Sequence, residues 1–147
     1  MKKYGMKSFL GFALFGAVML AGGSANAQGP GPFSQDQVDS GRKNFAENCA
    51  ECHAKDLSGG SAPALAGPVF AGRWKEKTTA DLYKFIQTTM PLCQGGLLGN
   101  NTYAEIVAFL LWANGAQPGK DDFDGSTQAN IGAIVTGTVR PDLSKSR

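Results

Sequence analysis

Cys49-Ala50-Glu51-Cys52-His53 sets two thiols and an imidazole within five residues. On a turn of helix, positions 49, 52 and 53 stand at i, i+3 and i+4, so the three side chains share one face. This C-x-x-C-H pattern reads as an attachment site for a covalent c-type haem. Two thiols so placed can bond the vinyl groups along one porphyrin edge while the neighbouring imidazole reaches the iron. His53 is the only histidine in the 147 residues, so any imidazole ligand is this one.

A low-spin haem needs a second axial ligand. Of the four methionines, only Met90 lies beyond residue 27. Its soft thioether favours ferrous iron, and Met/His ligation raises the reduction potential. Pro91 follows directly and stiffens the segment that presents the sulfur. Other chemistries fit less well. A zinc centre would have to draw on Cys49, Cys52, His53 and Cys93, and adjacent residues 52 and 53 rarely both reach one tetrahedral metal. A thioredoxin-like thiol pair needs a βαβ context that the chain lacks. A haem enzyme needs an open iron position flanked by acid/base groups, and no second histidine exists. Cys93 is the odd thiol. It reads as a small apolar residue, with an intermolecular disulfide or a thiolate replacing Met90 as the sharper alternatives.

The elements that must position these groups are helical. Ser34 and Gln37 form a capping box, and Val38, Gly41 and Phe45 line one face of a helix to about Asn48. Gly41 costs that helix about 1 kcal/mol relative to Ala, which a close helix crossing would explain. Residues 57–72 have the Gly/Ala/Ser/Pro composition of a loop. A second box, Thr78 to Asp81, opens a helix with Leu82, Phe85 and Ile86 on one face, and Pro91 forbids its continuation. A third, Thr102 to Glu105, opens the strongest helix, carrying Ile106, Phe109, Leu110 and Ala113. Asn114-Gly115 is a left-handed stop, with Pro118 beyond. Asn100-Asn101-Thr102, a glycosylation sequon, reads more plainly as the lead-in to that cap. Ile131 to Val139 is either a short strand or a tail, and Asp122 to Gly125 echoes a calcium loop without its closing glutamate. The expected fold is all-α, three main helices with long loops. That core is thin unless a large apolar prosthetic group sits within it.

Residues 1–27 read as a signal peptide: basic Lys2, Lys3 and Lys7, an apolar run from Phe9 to Leu20, and Ala25-Asn26-Ala27 as the cleavage signal. The apolar run is too short and Gly-broken for a membrane span of about 20 residues, so no integral membrane segment is expected after cleavage behind Ala27. Export implies the periplasm. The remainder keeps 11 of the 14 Lys and Arg and all 12 Asp and Glu, a balance of −1, which gives no reason to expect nucleic acid. Residues 28–119 suffice for one domain with one core, leaving 120–147 as an extension.

Residues 34 to 119 resemble the class I c-type cytochromes. Besides Cys49, Cys52, His53 and Met90, the stretch Ala62-Pro63-Ala64-Leu65-Ala66-Gly67 is similar to that family's x-P-x-L-x-G loop. The resemblance implies one covalently attached haem c inside the class I fold, with the Pro63 carbonyl accepting from the second nitrogen of His53. It places Gly41, Phe45 and Phe109 at a crossing of the terminal helices, and Arg73 and Trp74 near a haem propionate. Thr88-Thr89-Met90-Pro91, Tyr103-Ala104-Glu105-Ile106 and Trp112-Ala113-Asn114-Gly115 look like the small cytochrome modules that accompany periplasmic quinoprotein dehydrogenases. The implied function is periplasmic single-electron transfer from such a dehydrogenase towards the respiratory chain, through a cytochrome or oxidase. A dedicated dehydrogenase subunit is the alternative, and a haem sensor or enzyme with an open iron position is a more distant one.

Overall fold

A computed structural model describes Met1, residues 29–141 and Leu143. The expected signal peptide and its cleavage point after Ala27 lie outside the described residues. Six helices follow in order: α1 (Gln35–Asn48), α2 (Ala50–His53), α3 (Pro68–Trp74), α4 (Thr79–Thr89), α5 (Asn100–Ala113) and α6 (Ile131–Ile134). Among the described residues there is no strand, only isolated bridges at Pro30–Gln117 and Thr78–Asn130. No described helix is long and apolar enough to cross a membrane.

Helix α5 is the axis of the domain. Nine of its residues are buried, from Tyr103 to Ala113, so it is apolar on nearly every side and packs all round. Helix α1 crosses it at Gly41. A Cβ there would lie 1.8 Å from the Glu105 carbonyl oxygen, so only glycine lets the two backbones approach this closely. Phe45 and Phe109 meet beside the crossing with ring centroids 5.5 Å apart.

Local signals set most helix ends. Ser34 caps α1 by accepting from the Gln37 amide. Thr78 and Asp81 complete the capping box of α4, and the hydrogen bonds from Thr78 hold the Asp81 carboxyl below its ordinary pKa. Two ends differ from expectation. The end of the 57–72 stretch that reads as loop is helical, as part of Pro68–Trp74, with Gly67 as N-cap and Pro68 in the first turn. Helix α5 begins at Asn100, with Gly99 rather than Thr102 as its cap. Contacts from α4 hold that early turn, since Gln87 donates to the Asn100 side chain at 2.9 Å. Glu105, expected to close a capping box, instead accepts from Asn44 of α1.

Residues 120–141 and Leu143 pack on the helices. Phe123, Ile131, Ile134, Val135 and Leu143 are buried. Gln37 forms a reciprocal pair with the Phe123 backbone, donating at 2.8 Å and accepting at 2.7 Å. Residues 131 and 132 donate to the Lys77 and Lys75 carbonyls, and Arg140 donates to those of Trp112 and Ala116. Ile131–Ile134 is a helical turn capped by Asn130, neither strand nor free tail.

Candidate functional site

Helix α1 ends at Asn48, and the backbone kinks at Cys49 (φ −129°, ψ −30°) before the short α2. The kink lets Cys49, Cys52 and His53 leave one turn together. No disulfide joins the thiols: Cys49 is partly buried and Cys52 exposed. Burial pushes the Cys49 thiol up to about 11, with a smaller contribution from Cys52.

His53 is 9% exposed, and its Nδ1 lies 2.8 Å from the Pro63 carbonyl oxygen. That carbonyl can only accept, so Nδ1 carries the proton and Nε2 presents its lone pair. Nε2 has no partner among the described residues. A buried imidazole with one nitrogen tied and the other unclaimed is the arrangement of a metal ligand.

The loop bearing Pro63 is held from two sides. The Ala62 amide donates to the Cys52 carbonyl at 3.1 Å, and the Leu65 amide to that of Leu57 at 2.9 Å. From the far end of α5, the fully buried Asn114 side chain accepts from the Gly67 amide at 2.9 Å and donates to the Leu65 carbonyl at 3.0 Å. Asn114 is legible in the sequence as part of a helix stop, and Gly115 does take positive φ (+100°). Its fastening of the Pro63 loop carries no local signal.

Met90 is the C-cap of α4, partly buried against the core. Its carbonyl accepts from the hydroxyl of Tyr103 in α5 at 2.9 Å. The two segments that present His53 and Met90 are therefore both fastened to α5. Tyr103 and Asn114 are 11 residues apart, about 16 Å along the axis and nearly on one face.

Trp74 is buried at 7% exposure, edge-on to Phe85 with centroids 5.4 Å apart, and the Arg73 guanidinium sits 4.6 Å from the Phe85 ring centroid. Arg73, Trp74, Lys77, Asp81 and Phe85 line a cleft of about 290 Å³. The Trp74 indole N–H has no acceptor among the described residues. Buried indoles ordinarily find one, and a carboxylate between Arg73 and Lys77 would supply it. Cys93 is exposed, at φ +65°, between Leu92 and the turn that ends at Leu97. The Asp122–Gly125 segment forms no cation cluster; Asp124 accepts from Ser126 instead.

These features fit a haem. Two unpaired thiols and an orphan imidazole nitrogen share one turn. Leu65, Phe85, Met90 and Leu98 are apolar side chains left only partly buried. Leu92, Leu97 and Val69 stand exposed at 79%, 73% and 55%, more apolar surface than the protein alone covers.

A family model described as cytochrome c oxidase, cbb3-type, subunit III matches residues 36–110. No curated protein matches the chain. Among solved structures, a chain of the sulfane dehydrogenase SoxCD from Paracoccus pantotrophus is similar at 26% identity and a TM-score of 0.46, the match covering 80% of this chain and 62% of that one.

Proposed function

The chain belongs to the family described as cytochrome c oxidase, cbb3-type, subunit III, as a mono-haem c-type cytochrome of all-α fold, and on that premise we propose an exported single-electron carrier with His53 and Met90 as axial ligands. The observation that carries the ligand assignment is the buried His53, its Nδ1 held by Pro63 and its Nε2 unclaimed. Cys49 and Cys52 fit covalent attachment of haem c. When bound, that group takes up and releases one electron as its iron alternates between ferric and ferrous.

The protein's own residues do the rest. Pro63 fixes the His53 tautomer and the orientation of its ring. Leu65, Phe85 and Leu98 exclude water, and the low dielectric they create disfavours the more highly charged oxidised state. Arg73 and Trp74 offer a cation and an N–H donor to a propionate. Cys52 is exposed, so a group tethered there would be reachable from solvent and by a redox partner.

The leader-like residues 1–27 support a periplasmic location. The likeness of the Met90, Tyr103 and Asn114 motifs to quinoprotein-associated modules supports a periplasmic dehydrogenase as donor, with a cytochrome or oxidase as acceptor. The test is carbon monoxide. The native ferrous protein is expected not to bind it, whereas Met90→Ala keeps its haem and binds CO at the vacated position. Ready CO binding by the unmutated protein would overturn the assignment. Purification separates carrier from subunit: a carrier is isolated alone as a monomer, a subunit with its dehydrogenase.

A further inference from the structure

Tyr103 is wholly buried one turn inside α5, and its hydroxyl makes three hydrogen bonds to a single loop. It donates to the Met90 carbonyl at 2.9 Å and accepts from the amides of Gly96 at 3.0 Å and Leu98 at 3.3 Å. Those residues are the beginning, middle and end of the segment joining α4 to α5. A phenolic oxygen has one proton to give and two lone pairs to share, so its capacity is filled.

The rest of the loop is lightly attached. The Gln94 amide closes a turn onto Pro91 at 2.7 Å, and the Gly96 amide also reaches the Gln87 carbonyl at 2.7 Å. Gly95 lies flat on the end of α4, where a Cβ would come 2.1 Å from the Thr88 carbonyl oxygen. Leu92, Cys93 and Leu97 point to solvent, so little apolar burial holds the outer part of the segment.

We infer that Tyr103 is a positioning residue for the distal ligand, its hydroxyl keeping the 90–98 loop shut and the Met90 thioether in place. The inference rests on the reading of Met90 as axial ligand and deepens it. Because the Tyr103 ring is enclosed in the core while its oxygen alone serves the loop, the two roles separate chemically. Tyr103→Phe keeps the packing and deletes only the hub. The Met90 carbonyl and the Leu98 amide then lose their buried partner, which favours the open loop about tenfold.

The experiment compares holoprotein of wild type, Tyr103→Phe and Met90→Ala. It reads haem content, the far-red sulfur-to-iron charge-transfer band of the ferric form, and the CO association rate of the ferrous form. Tyr103→Phe is expected to retain full haem and helical content, to weaken the band, and to bind CO about tenfold faster than wild type. Met90→Ala should lose the band and bind CO at once. A Tyr103→Phe protein with the wild-type band and CO rate, beside a Met90→Ala protein that has lost the band, overturns the inference alone. A Met90→Ala protein indistinguishable from wild type overturns the ligand reading beneath it. Amide hydrogen exchange on the wild type needs no variant: Gly96 and Leu98 should exchange at least about tenfold more slowly than Leu92 and Cys93. Equal exchange at all four refutes the hub.

Discussion

Gly41→Ala tests the crossing on which the whole domain is hung. The added methyl would lie 1.8 Å from the Glu105 carbonyl oxygen, 2.5 Å from its carbon and 3.0 Å from Phe109 Cβ. Two of these atoms are backbone in the middle of a helix, so no rotamer change relieves the clash. Restoring ordinary contact requires α1 and α5 to part by about 1.5 Å, and a gap of even 0.5–1 Å forfeits about a quarter to a half of each dispersion contact along the seam. Overpacking of this kind costs about 3 kcal/mol, offset by about 1 kcal/mol from replacing a helical glycine. The net is about 2 kcal/mol, or roughly 6–10 °C in Tm for a domain of this size. Gly72→Ala in α3 is the control, because nothing lies within 4 Å of its added Cβ. That change should stabilise by about 0.5–1 kcal/mol. Thermal unfolding of both holoproteins, followed by circular dichroism, decides. If Gly41→Ala melts at or above wild type, the crossing does not constrain the helices as described.

Asn114→Ala strands the Gly67 amide and the Leu65 carbonyl, so chemical unfolding should show a loss of about 2–4 kcal/mol; a change under about 0.5 kcal/mol would dismiss its fastening role. In the apoprotein, the Cys49 thiol is raised to about 11 by burial, so at pH 8 about one molecule in a thousand is thiolate. Mass-resolved alkylation should therefore modify Cys52 and Cys93 well before Cys49. By linkage, a thiol that folding pushes up contributes stability that is intact below its ordinary value of 9.0 and is lost as pH rises through about 11. The folded apoprotein should accordingly weaken over that interval. Residues 86–104 contain no Asp, Glu, Lys or Arg, so partner electron-transfer rates through this face should change little with salt, and a steep dependence would move docking elsewhere.

Most of the candidate site was legible from residue types and spacing, because it is local. Five consecutive residues carry the thiols and the imidazole, and one methionine lies outside the leader-like segment. The Thr78–Asp81 box and the Ser34 cap were readable for the same reason, each being satisfied within one turn of chain. Gly41 was legible by its cost: a helix tolerates it only where something passes close by. The expectation failed where distant partners compete for a local group. Gln37 turns from its capping role to the Phe123 backbone, and Glu105 turns to Asn44. Residues 68–72 read as loop because the 57–72 stretch is rich in small residues, yet Phe70 and Trp74 pack into the core and the segment Pro68–Trp74 is a helix.

The order of amino acids by itself determined what can be bonded here: two thioethers, an imidazole, a candidate thioether sulfur, and helices of the right length to carry them. Only the tertiary structure decided how the loops carrying Pro63 and Met90 are held. Tyr103 reads as an ordinary member of a helix and Asn114 as its stop, and their partners lie 5 to 13 and 47 to 49 residues away. Hydrogen bonds of that kind leave no periodicity in the chain, because their geometry exists only once α1 has crossed α5 and the loops have closed over it.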